Sequence, residues 1–94
     1  MALTLTGRLI CANEAEAAIV RDYLPEHIRL TRREPGCLLF EVTPADSPLV
    51  WEVRETFTNR HAFDLHQARV KGSAWGHATA GIARDYSILQ DEAG

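Results

Sequence analysis

Between Arg60 and His77 the chain carries His61, His66, Trp75 and His77 in quick succession. Imidazoles at that density raise two chemistries, a transition-metal site or proton transfer by a histidine set in a cavity. Spacing argues against the first. His61 and His66 are five positions apart, about 140° around a helix, so they point to different faces. The i, i+4 spacing by which two helical histidines share a metal is absent, and no metal ligand set is assigned. His61 is expected in solvent, and His77, beyond a glycine-containing segment, is left undecided. His66 differs, because it shares a helical face with Ala62, Phe63 and Val70, the face that must pack on a sheet. An inward imidazole is either a satisfied structural histidine or a proton acceptor lining a cavity.

Glu55 poses the same question. It lies on a strand face shared with Leu49, Trp51, Val53 and Phe57, where an unpaired carboxylate is costly. His66 and Arg84 are its candidate partners. A Glu55–His66 contact would fix the imidazole tautomer and raise its basicity; alternatively Glu55 caps or braces the second helix. Tyr23 and His27, four apart on the first helix, border the core and could line a pocket mouth or stand partly exposed. Trp75 is a candidate aromatic wall or simple core. Arg84 and Tyr86 alternate with Ile82 and Ile88, so they face inward or across an interface, and the arginine could hold a phenolate.

The elements that must position these groups can be read from periodicity. Leu3 to Cys11 alternates at period two, a half-buried strand. Asn13, three residues before Glu16, marks a helix start. Val20, Leu24, Ile28 and Thr31 form the buried stripe, and Pro25 is expected to kink or split the helix. Glu34-Pro35-Gly36 stops it. "CLLFEV" is a strand, "TPADSP" a turn, and Leu49 to Phe57 a second alternating strand. A helix from about Asn59 to Gln67, an irregular segment, and a closing strand through Ile82 and Ile88 complete the chain, with "QDEAG" expected to fray.

The order β-α-β-β-α-β predicts a single α+β domain over 1–94. Its ferredoxin-like antiparallel sheet has both helices on one face, the first and third strands central and the second and fourth at the edges. Val50 and Leu39 leave the uncovered face partly apolar, so a partner sheet, and hence a homodimer, is expected.

At 94 residues and net charge −3, with basic residues scattered, the chain has no nucleic-acid footprint. No apolar run approaches a membrane span. The start reads as a strand rather than a signal peptide, which places the protein in the cytoplasm. Cys11 and Cys37 match no zinc spacing and are expected on non-adjacent strands as small buried hydrophobes.

Glu34-Pro35-Gly36-Cys37, then Glu55 at the end of a strand, then Ala62-Phe63-Asp64 and His66, together with "ARDYSI" near the end, resemble the antibiotic biosynthesis monooxygenase domain, a dimeric α+β barrel family. The resemblance covers about residues 3 to 89. It implies oxygenation of phenols or hydroquinones by O2 with no metal or organic cofactor, in a pocket that deprotonates an electron-rich aromatic. On that reading His66 is the base and Glu55 its orienter. Trp75, Tyr23, Phe63 and Phe57 are the walls, with His27, Arg84 and Tyr86 also meeting the substrate. The partners implied are a small aromatic molecule, O2 and a second copy of the chain. The same pocket could instead serve a non-catalytic ligand-binding domain, since the motifs are signatures of fold and pocket. Heme degradation, which occurs in the superfamily on an Asn, a Trp and a His, is disfavoured: the first two positions fall at Gly7 and His66, and the third near Gly76.

Overall fold

The computed structural model describes residues 1–90. Leu3–Ile10 forms β1, Glu14–Arg32 α1, Cys37–Pro44 β2, Val50–Phe57 β3, Arg60–Lys71 α2, Ala74–Ala78 α3 and Ala83–Gln90 β4. The expected frayed tail begins at Gln90, which is the last residue of β4; residues 91–94 lie outside the described residues.

Helix α1 starts where the sequence says it should. Asn13 Oδ1 accepts from the Glu16 amide at 3.0 Å, and Glu16 reaches back to accept from the Ala12 amide at 2.7 Å. One free N–H group of the first turn, and the amide just before the cap, are thereby satisfied. Acidic Glu14 and Glu16 lie in the first turn and basic Arg29 and Arg32 in the last, each complementing the helix dipole. Pro25 does not split the helix, which is continuous around it. It sits on the exposed side, where water can satisfy the carbonyl that the missing N–H leaves unpaired. The buried stripe is Ala17, Val20, Leu24, His27 and Thr31. It therefore runs through His27, whereas Ile28, expected in it, is only half-buried.

Strand order is β2-β3-β1-β4, with β1 and β3 central as expected. In β1, Leu3, Leu5 and Leu9 face the helices. Pairing puts Glu55 beside Leu5, Tyr86 beside Gly7 and Arg84 beside Leu9 on that same face. Gly7 is glycine because a Cβ would run into the Asp85 carbonyl and the Tyr86 ring; its bareness lets that ring lie close over β1. The opposite face is mixed. Arg8 pairs with Glu52 at 3.3 Å and Thr4 with Thr56 at 3.0 Å, while Ile10 and Leu89 are exposed. It is on this face that the expected partner sheet would pack.

Two differences from the sequence reading bear on the site. Helix α2, capped by Asn59 Oδ1 on the Ala62 amide at 2.8 Å, continues four residues past Gln67 to Lys71. The irregular segment after it contains α3. Ser73 builds that turn, donating to the Val70 carbonyl at 2.7 Å and accepting from the Gly76 amide at 3.0 Å. The turn fixes Trp75, which is 7% exposed. Cys11 and Cys37 are free thiols, Cys11 beyond the end of β1 and Cys37 on non-adjacent β2. Among the described residues no helix is long and apolar enough to cross a membrane.

Candidate active site

A cavity of about 400 Å³ lies between the helices and the sheet, within the size range of small-molecule sites. Its floor is apolar, formed by Leu5, Leu9, Phe40, Val42 and Val53. Trp75 and Val70 close one side, and Gln67, Lys71 and Ala80 stand at the open end. The polar groups that reach it are His27, Glu55, His66, Arg84 and Tyr86.

His66, 2% exposed, is held from the rear by Glu34, which the sequence reading placed in the helix-ending turn and the family motif but gave no part in the site. Its Nδ1 lies 2.6 Å from Glu34 Oε1. Arg69 Nε donates to Glu34 Oε2 at 3.1 Å, and Arg69 Nη2 donates to Thr31 Oγ1 at 3.0 Å. Glu34 reaches α2 because the Glu-Pro-Gly turn docks on it: Gly36 accepts from the Thr58 amide at 2.9 Å. A Cβ on Gly36 would collide with Ala62. A carboxylate can only accept, so Nδ1 carries the proton and Nε2 keeps its lone pair. Burial pushes the His66 pKa below the ordinary imidazole value, with the Glu34 hydrogen bond and charge working against that shift. The imidazole is a neutral base of fixed tautomer.

The expected Glu55–His66 pairing is a 3.7 Å approach at Nε2, too long for a hydrogen bond. Glu34, not Glu55, is the orienter. Glu55 is 5% exposed, and no donor among the described residues holds it. Burial first, and the Glu34 charge second, push its pKa up to about 7. A carboxyl poised there can both give and take a proton near neutral pH.

This placement has a consequence for stability. Because the folded-state pKa is raised, the unfolded chain releases the Glu55 proton first. Stability is greatest below the unfolded value of about 4.5 and falls as pH rises through about 7. Above that the penalty is about 3 kcal/mol. Glu55→Gln is therefore expected to raise the unfolding free energy at pH 8 by roughly that amount, with the gain vanishing below about pH 5. Urea denaturation of both proteins at the two pH values checks it; an equal or lower stability of the variant at pH 8 contradicts it.

Arg84 lines the cavity but makes no ion pair with Glu55, and three of its five N–H donors are taken by the turn beside it. Its Nη1 donates to the carbonyls of Thr79 and Ile82 at 2.7 and 2.8 Å, and its Nη2 to Thr79 Oγ1 at 2.7 Å. It knits the turn between α3 and β4. Burial pushes the Tyr86 hydroxyl up to about 12, with Arg84 pulling the other way, so it is a neutral donor at physiological pH. Tyr23 is 41% exposed and does not line the cavity, because the buried stripe of α1 takes His27 and leaves Tyr23 outside. Phe57 and Phe63 back the site rather than line it. The Phe57 ring is 4.8 Å from that of His66, and Phe63 packs edge-on against Phe57 at 5.7 Å.

His27 is 5% exposed and sits deeper than a pocket mouth. Its ring stacks on Trp75 at 4.6 Å and 3° and meets Phe40 edge-on at 5.2 Å. Burial, and then electrostatic interaction with His66, Arg69 and Arg84, pushes its pKa down to about 3. His61 and His77 are exposed. Among the described residues no three His, Cys, Asp or Glu side chains are grouped to hold a metal ion. The lining contains no serine or cysteine nucleophile. What the arrangement can do is take a proton from a molecule held in an apolar enclosure and move it between an imidazole and a carboxyl.

The family model for antibiotic biosynthesis monooxygenase matches residues 7–78. Among curated proteins no sequence matches the chain. Solved structures of the same fold include Rv0793 from Mycobacterium tuberculosis, at 20% identity and TM-score 0.75 over 100% of both chains. SnoaB from Streptomyces nogalater, a cofactor-independent oxygenase, superimposes with TM-score 0.79 at 13% identity, covering 99% of this chain and 95% of its own. PA3566 from Pseudomonas aeruginosa gives 0.75 at 16%, covering 98% and 95%.

Proposed function

The chain belongs to the antibiotic biosynthesis monooxygenase family, and from that premise we propose that it oxygenates a phenol or quinol-like aromatic with O2, using no metal or organic cofactor. The observation that carries the reading is His66, whose Nε2 lone pair meets an apolar cavity while Nδ1 is tied to Glu34. An electron-rich aromatic needs only to lose its hydroxyl proton to become a reductant for O2, and His66 takes that proton. The oxygen lone pair left behind delocalises into the ring. One electron passes to O2, and the two radicals join at a ring carbon as a peroxide.

The remaining proton movements fit Glu55. In its acid form it protonates the outer peroxide oxygen, and as carboxylate it takes the proton from the same ring carbon. The C–H electron pair becomes the new C=O, the O–O bond breaks, and hydroxide leaves. Hydroxide takes the proton held on His66 and departs as water. One oxygen atom enters the ring, the other becomes water, and both protein groups return to their starting states. The apolar floor keeps bulk water from the reactive anion. Oxygen uptake by the purified protein, with anthrone-type phenols and hydroquinones as substrates, tests this. Uptake above the autoxidation rate is expected; ligand-dependent stabilisation without uptake would favour a binding domain instead.

A further inference from the structure

We infer that His27 is a second substrate-contacting group, whose Nε2–H donates a hydrogen bond to the same substrate oxygen that His66 deprotonates and so stabilises the phenolate. This rests on the reading of the cavity as a phenol site, but its evidence is separate. Among the described residues no hydrogen bond holds either ring nitrogen of His27. Nδ1 is sealed from water with no partner, so Nε2 is the nitrogen left to meet a ligand in the cavity that His27 lines.

The tautomer follows from hydrogen-bond economy. A proton on Nδ1 would be a buried donor with nothing to receive it, whereas a proton on Nε2 faces the cavity. The ring is fixed in place by its stack on Trp75 and its edge contact with Phe40. Its centroid is 6.1 Å from that of His66, a separation at which one ligand oxygen can contact both rings. The two imidazoles then have complementary roles. His66 can only accept at Nε2, because Glu34 fixes its proton on Nδ1; His27 can only donate. A neutral phenol satisfies both, and the phenolate satisfies His27 better, which is what selective stabilisation of developing charge requires. A protonated His27 would deliver a proton back to the phenolate. Its deep burial, with His66 facing it from α2 and Arg84 from β4, keeps it neutral, so it remains a donor. The other titratable groups on the cavity are Glu55, Lys71 and Tyr86.

The test reads ionisation of a bound phenol directly, without turnover. 4-Nitrophenol, whose absorbance reports its phenolate and whose ring is too electron-poor to reduce O2 readily, is titrated with pH at saturating protein. The proteins are the wild type, His27→Phe, which keeps an aromatic against Trp75, and His27→Gln, which keeps a donor. A hydrogen bond to a charged oxygen predicts that His27→Phe raises the bound pKa by about 1 to 2 units, with His27→Gln between the two. Turnover of an oxidisable phenol should fall about tenfold or more in His27→Phe. No saturable binding of 4-nitrophenol, or the same bound pKa in all three proteins, overturns the inference. The two claims fail separately. The bound pKa shift without O2 uptake sinks the oxygenase reading alone. Uptake with an unchanged bound pKa sinks the role of His27 alone.

Discussion

Replacing His66 with alanine is expected to lower kcat/KM for a phenolic substrate by about 10² to 10⁴-fold, the range that a positioned base contributes. The fold should survive, because Glu34 keeps its ion pair with Arg69 at 3.1 Å. His66→Gln, closer in volume, guards against a loss due only to the hole left beside Phe57. Added imidazole should restore part of the activity of the alanine variant and none of the glutamine variant, since only the former leaves space. The pH profile separates catalysis from structure. In the wild type the acid limb should lie below the ordinary imidazole value, because burial depresses the His66 pKa. A second inflection should appear near pH 7 from Glu55. In His66→Gln the acid limb should disappear and the inflection near 7 persist. Wild-type kcat/KM in both variants would remove His66 from the chemistry.

The largest effect on the structure is expected at Gly76. This residue opens the second half of α3, and a Cβ there would drive into the Val70 carbonyl oxygen at the end of α2. The obstacle is backbone, so no rotamer change relieves it, and Gly76→Ala must push α3 away from α2. Overpacking of this kind costs about 1 to 3 kcal/mol. In a domain of this size each kcal/mol lowers Tm by roughly 4 to 8 °C. Function should fall further than stability, because Trp75 precedes Gly76 and moves with it. The stack that fixes His27 is then lost, so ligand binding followed by Trp75 fluorescence should weaken even below the new Tm. A thermal melt and a binding titration on the same sample check both parts. An unchanged Tm would mean that α3 is not seated against α2 as described.

Those two residues also mark what periodicity could and could not reveal. The alternation of Leu3, Leu5 and Leu9 against Trp51, Val53, Glu55 and Phe57 fixes which faces pack. It put Glu55 inside, and the i, i+3, i+4 pattern around Phe63 and Val70 did the same for His66. Those assignments need only the pitch of a strand or helix. Glu34 was invisible as a functional group because its partner is 32 positions away. The Glu-Pro-Gly turn that carries it has no period of its own, and only its docking on α2, through Gly36, gives the carboxylate a role. The same holds for α3, a five-residue helix containing a glycine that propensity alone would count against it. Tyr23 and His27 looked equivalent at a spacing of four. They are separated by a single choice of which residue enters the buried stripe, and the sheet below, with Phe40 and Trp75 waiting, selects the histidine. Arg84 was expected beside Glu55, but three of its five donors bond within five residues, to the turn it stabilises, which alternation along a strand does not reveal.

If this cavity inserts one atom of O2 into a hydroxylated aromatic using protein groups alone, isotope labelling will show where each oxygen atom goes. The metal-stripped protein is given an anthrone-type phenol under ¹⁸O2, and the product and water are analysed by mass spectrometry. The expected result is one ¹⁸O in the new carbonyl and one in water for each O2 consumed, with formation lost in His66→Ala. Label absent from the product, or formation restored only by an added metal or flavin, would contradict it.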